Sequence, residues 1–119
     1  MKFVILCLLG IIPLAWSYAD VSDKVHFEDI IKKPDVLRAE LYCYLDRGPC
    51  DEVAAQHKIH ITEAVDTACA KCTPTHKHNV KVFIQGVSHL FPELYHEFRD
   101  RYDPDGKHYD VLIDEVQKF

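Results

Sequence analysis

Four cysteines set the frame for the folded part of this chain. Cys43 and Cys50 flank the stretch CYLDRGPC, and Cys69 and Cys72 close the short CAKC. Whether they are metal ligands, a redox pair or covalent staples depends on the compartment, and the N-terminus speaks to that. Met1 and Lys2 precede the apolar run FVILCLLGIIPLAW, which Gly10 and Pro13 interrupt. The SYA that follows places small residues at Ser17 and Ala19 with the spacing of a signal-peptidase site. The run is short for a membrane span of about 20 residues. Residues 1–19 therefore read as a secretory signal peptide and residues 20–119 as one extracellular domain.

Removing that signal takes away Cys7, the odd cysteine, and Trp16, the only tryptophan. An even cysteine count in a small secreted chain reads as a disulfide framework. Losing Lys2 moves the formal charge from −5 to −6 with neutral histidines, a balance that speaks against a nucleic-acid partner, which favours a basic face. No second long apolar run follows, so stable membrane insertion is not expected.

Apolar residues recur at helical spacing nearly everywhere. HFEDIIKK presents Phe27, Ile30 and Ile31, and Pro34 ends that segment. Asp35 offers a cap for a second helix with Leu37, Leu41, Tyr44 and Leu45 on one stripe, stopped by Gly48 and Pro49. Asp51 caps a third, EVAAQHKI, and Thr62 a fourth that carries Ala64, Val65, Ala68 and Cys69. Thr73 followed by Pro74 opens the longest helix, with Val80, Phe83, Ile84, Val87 and Phe91 on one face. Pro92 restarts the chain into ELYHEFRDRY, the DPDG after it makes a turn, and a last helix presents Tyr109, Leu112, Ile113, Val116 and Phe119. With no strand alternation, the expected class is all-α, a compact array of about six short helices.

Two local bridges fit this pattern better than crossed ones, because each pair is already close in sequence. Cys43 lies in the last turns of one helix and Cys50 just past the Gly-Pro corner, while Cys69 and Cys72 would share one face of a helix within disulfide reach. Two rivals stand beside this reading. CAKC has the form of a thioredoxin-like redox motif, which expects a βαβ setting. Cys69, Cys72, His76 and His78 are also the right types for zinc, though the histidines follow too closely for finger spacing.

The stretch YLDRGPC, eighteen residues, CAKCT, and then FPELYHEFRDRYDPDGK resembles the insect chemosensory proteins, the olfactory-segment-D family. Six, eighteen and two residues between successive cysteines match that family's pattern across the whole domain. The resemblance implies bridges Cys43–Cys50 and Cys69–Cys72, six helices around an apolar channel, and binding of long-chain fatty acids, alcohols, esters and semiochemicals. Three departures imply a more polar channel mouth: Glu40 stands where a tyrosine is frequent, Tyr95 where PELW is usual, and Asp51 to Ala54 (DEVA) where TPEG is usual.

The channel candidates implied are Ile31 in the first helix and Leu41, Tyr44 and Leu45 in the second. Ile61 and Val65 follow, then Val80, Phe83, Ile84 and Val87 on the longest helix, and Leu94, Tyr95 and Phe98 after Pro92. Read from periodicity alone, the same positions are packed core. The eight histidines invite a metal site, with His57 and His60 three apart and His76 and His78 in HKH, but solvated helix faces are the simpler reading. DPDG fails as a calcium loop, since Arg101 and Leu112 would occupy the first and twelfth ligand positions. No catalytic residue, metal or cofactor is expected.

Two functions remain. One is a secreted monomeric carrier whose partner is a small hydrophobic ligand. The other is a secreted developmental or interaction factor that works through a protein partner or a surface metal.

Overall fold

Prolines and caps cut the chain into its helices. The computed structural model describes residues 26–119, in which α1 spans Phe27–Ile31, α2 Pro34–Tyr44, α3 Glu52–Thr67, α4 Pro74–Leu90, α5 Pro92–Tyr102 and α6 Tyr109–Val116. The all-α class holds, with no strand among the described residues. The signal peptide expected over residues 1–19 and the expected start at Asp20 lie outside them.

Helices α2, α4 and α5 each begin with proline, whose missing N–H costs nothing in a first turn that has no acceptor for it. Asp51 accepts the Ala54 N–H at 2.7 Å and Thr73 accepts the His76 N–H at 3.1 Å, both as expected. Asp35 is not a cap. Pro34 takes the first helical position and puts Asp35 inside the first turn, where its charge still meets the positive end of the helix. The expected third and fourth helices are one, since Thr62 sits inside α3. No glycine or proline lies between Asp51 and Thr67, and a threonine alone costs too little to break a helix held by tertiary packing.

The CAKC segment is not helical either. Helix α3 ends at Ala68 in the left-handed region (φ 53°), Cys69 follows at φ 62°, and the Cys69 N–H donates back to the Ala64 carbonyl at 2.8 Å. Two consecutive non-glycine residues in this region carry a backbone cost. The bridge between Cys69 and Cys72 ties that turn down, and Cys43–Cys50 pins the corner between α2 and α3. From ring size, the chain-entropy picture assigns about 2 kcal/mol to the smaller loop and about 2.5 kcal/mol to the larger.

Helix α4 is central and packs on α1, α5 and α6, while α2, α5 and α6 pack on α3. Leu37, Leu41, Val87, Tyr109 and Val116 are wholly enclosed. Gly86 permits the α1–α4 crossing, because a Cβ there would lie 2.5 Å from Ile31 Cγ2. The DPDG turn has Gly106 at φ 68°. Its buried Asp103 carboxyl accepts the N–H groups of His108 and Tyr109 at 3.1 and 2.9 Å and so starts α6. Burial pushes the Asp103 carboxyl up, but these N–H groups and that of Lys107 outweigh it and hold the group below its usual range.

His78 on α4 joins α1 to the end of the chain. Its Nε2 pairs with Glu28, and its Nδ1 lies 3.1 Å from the Phe119 main-chain oxygen. The Glu28 hydrogen bond, then the Phe119 oxygen, raise His78 above its ordinary 6.5, and the same hydrogen bond lowers Glu28 below 4.5. A raised histidine stabilises fully below its unfolded value and loses that contribution as pH climbs through the folded one; a lowered carboxyl stabilises above its unfolded value and loses it as pH drops through the folded one. Both groups are partly exposed, which limits the pair to about 0.5 kcal/mol. Thermal melts from pH 5 to pH 8 should show wild type losing this increment and His78→Gln not; equal pH slopes would refute the assignment.

Candidate ligand cavity

Helices α3 and α4 both line one cavity. Each contributes residues at offsets 0, 3, 4, 7 and 8, one continuous helical face. On α3 these are His57, His60, Ile61, Ala64 and Val65, and on α4 they are His76, Asn79, Val80, Phe83 and Ile84. Both stripes begin polar and end apolar, but the turn after α3 brings His76 beside Cys69 and Cys72, so the polar start of α4 lies by the apolar end of α3, while His57 shares Phe27 and Tyr44 with Phe83. Phe27 of α1, Tyr44 of α2, Phe98 of α5, and Tyr109 and Leu112 of α6 complete the wall.

Aromatic rings dominate the apolar part. Phe83 makes edge contacts with Phe27, Tyr44 and Phe98 at centroid distances of 5.7, 5.6 and 5.5 Å, the geometry that ring quadrupoles favour. Phe98 also meets Tyr109 edge-on at 6.4 Å. The cavity encloses about 70 Å³, well below the several hundred Å³ of a pocket for a drug-sized molecule. A long aliphatic chain therefore needs some of these side chains to swing aside.

The polar part is organised by Glu40. This carboxyl is buried in α2, and the Tyr44 hydroxyl one turn later donates to its Oε1 at 2.8 Å. His57 Nδ1 lies 3.1 Å from the same oxygen and 3.3 Å from the Tyr44 hydroxyl. Burial, then the Glu40 charge, push the Tyr44 phenol well above its ordinary range, so the hydroxyl stays a donor. Burial lowers His60, opposed by Glu63 and reinforced by His57. Burial likewise holds the Tyr109 phenol far above its usual value.

Of the residues expected from sequence to face a channel, Tyr44, Ile61, Val65, Val80, Phe83, Ile84 and Phe98 come together on this wall. The others stand behind it. Leu41, Leu45 and Val87 are buried among the helices, Ile31 packs on Gly86, Leu94 is half-buried against the core, and Tyr95 stacks edge-on against Tyr109 at 6.0 Å. The histidines depart most from their reading as solvated faces. His57, His60 and His76 line the cavity, and for His57 and His60 only their place on one uninterrupted α3 stripe could have signalled it. Splitting α3 at Thr62 hid that stripe.

Of the rival readings of CAKC, the redox one lacks its βαβ setting, since the described residues form helices only, and the sulfurs bear on the zinc one. Donor atoms of Cys69, Cys72 and His76 do lie within 4.8 Å of one another. The two sulfurs are bonded to each other, and a disulfide offers a metal no thiolate. Among the described residues, no helix is long and apolar enough to cross a membrane.

Comparison with known proteins follows the same line. The chain is 25% identical over 101 residues to Allergen Tha p 1 of Thaumetopoea pityocampa, covering 85% of this chain and 80% of that protein. It is 26% identical over 108 residues to Ejaculatory bulb-specific protein 3 of Drosophila melanogaster, covering 88% and 86%. A solved chemosensory protein in complex with bromo-dodecanol superposes with a TM-score of 0.73 at 26% identity, over 82% of this chain and 97% of that one. Residues 18–110 match the family model described as the insect pheromone-binding family, A10/OS-D. By its helices, its two local bridges and that match, the chain belongs to the A10/OS-D family.

Proposed function

We propose that this protein is a secreted, monomeric carrier that buries the tail of a long-chain apolar molecule between α3 and α4 and performs no chemistry on it. The observation that carries this reading is the aromatic-walled cavity that α3 and α4 line together. Supporting it, a relative of the same fold was solved with bromo-dodecanol. The tail contacts assigned are Tyr44, Ile61, Val65, Val80, Phe83 and Phe98, with Ile84 beside them. Leu41, Leu45, Val87, Ile31, Leu94 and Tyr95 back the wall and set how far it yields. The secreted chain begins at Asp20.

An empty cavity forfeits packing energy, so a carrier fold has to be stiffened elsewhere. Here two disulfides hold the ends of α3 while the middle of its face is left unpacked. A straight-chain alcohol such as 1-dodecanol should displace an environment-sensitive dye from the purified protein, equally well with and without a chelator. Failure to displace it, or displacement lost in chelator, would remove the internal-carrier reading and favour a surface partner or metal.

A further inference from the structure

We propose that His57 anchors the polar head of the bound molecule, that Glu40 positions it for this, and that the cavity therefore takes long-chain alcohols in preference to the fatty acids of equal length. This rests on the carrier reading above and assigns the end of the ligand that reading leaves open.

The partners of His57 place a proton on one of its ring nitrogens. A carboxylate only accepts hydrogen bonds, so the ring nitrogen 3.1 Å from Glu40 Oε1 carries the proton. The Tyr44 hydroxyl spends its own proton on the same oxygen at 2.8 Å. In the arrangement proposed the imidazole is neutral with its proton on Nδ1, which leaves Nε2 as an acceptor. No hydrogen bond of that nitrogen is found among the described residues. His57 itself lines the cavity, with the Phe27 ring 5.5 Å away and Phe83 further along the wall. An acceptor in the wall of an apolar cavity selects a head that donates, which a hydroxyl does and an ionised carboxylate does not.

Charge works the same way. A carboxylate head at Nε2 would face the buried Glu40 carboxylate across one imidazole ring, where low dielectric strengthens repulsion. His60, one turn on, offers no remedy, because burial lowers its affinity for a proton and Glu63 only partly restores it. Glu40 does not touch the ligand in this arrangement. It is a positioning residue that fixes the proton on Nδ1 and repels anions.

The test compares 1-dodecanol with dodecanoic acid at pH 7 by dye displacement, on wild type, Glu40→Gln and His57→Phe. Wild type should favour the alcohol by at least about tenfold, ~1.4 kcal/mol. Glu40→Gln should improve the acid by about tenfold with little change for the alcohol, since the amide keeps an acceptor but not the charge. His57→Phe should weaken the alcohol by roughly three- to tenfold, the worth of one net hydrogen bond. Independently of either variant, imidazole nitrogen NMR of wild type should show His57 protonated at Nδ1 and its Nε2 resonance shifting when dodecanol is added. Binding of both ligands without discrimination, a preference for the acid, or an Nε2-protonated His57 would overturn the inference and leave the carrier reading standing. If neither dodecyl compound binds, both fall together.

Discussion

Affinity for straight-chain alcohols is expected to rise about fourfold with each added methylene, so that dodecanol binds roughly 200 times more tightly than octanol. The ladder follows from about 0.8 kcal/mol per buried CH₂ and the tenfold change in affinity per 1.4 kcal/mol. It should then flatten or turn over, because the wall is built of rings packed against fixed helices and yields only so far. The cavity of about 70 Å³ is smaller than the chains it would admit. Each methylene must then do two things, leave water and displace a side chain, and the measured slope should fall below fourfold where displacement begins to cost more. With Trp16 inside the expected signal peptide, the secreted chain has no indole to report binding. Calorimetry is the direct readout and should give a heat-capacity change that grows more negative with chain length. The slope should persist at moderate salt, since apolar burial supplies the energy. Affinity independent of length would mean that the tail stays outside, and the carrier mechanism would be lost.

Phe83→Ala should lower stability by about 3 kcal/mol and the melting temperature by more than roughly 10 °C for a domain of this size. Phe83 touches Phe27, Tyr44 and Phe98 and is 7% exposed, so its removal unseats three rings contributed by three helices. The low end of the usual 3–5 kcal/mol for such truncations is expected, because one side of the ring already faces empty space. The variant should also move the turnover of the alcohol ladder to longer chains, since the volume vacated joins the cavity. Denaturant unfolding and the ladder together separate two roles. A full loss of stability with the turnover unmoved would place Phe83 in ordinary core, and a loss under about 1 kcal/mol would mean that the ring is not packed at all.

Much of this molecule follows from local chemistry along the chain. Pro34, Pro74 and Pro92 can begin helices but not continue them, and the carboxyl of Asp51 and the hydroxyl of Thr73 satisfy orphan N–H groups wherever the rest of the chain lies. The number and rough extent of the helices were therefore readable, as were the bridges, since short separations leave each cysteine a partner close by. Local signals failed where two of them competed. Thr62 has the chemistry of a cap, but packing of α3 against α2, α5 and α6 outweighs it. Cys69 and Cys72 have helical spacing, yet the chain leaves the helix at Ala68 and bridges them through a turn.

Which apolar residues face a cavity was beyond any periodicity, because Leu41 and Phe83 lie on equally good stripes and differ only in what stands opposite them. Leu41 meets other helices and is fully enclosed, whereas Phe83 meets the cavity that α3 and α4 line. Glu40 shows the same division. Its departure from the family pattern was visible as a single letter, but its partners Tyr44 and His57 come from one turn away and from the next helix. Residues a few positions apart were enough to write the helical class, the proline starts, the Asp51 and Thr73 caps and the covalent corners, because each depends on local groups. Only the tertiary structure decided where the packing stops and which polar groups guard the space left, because both depend on distances between helices that no local spacing encodes.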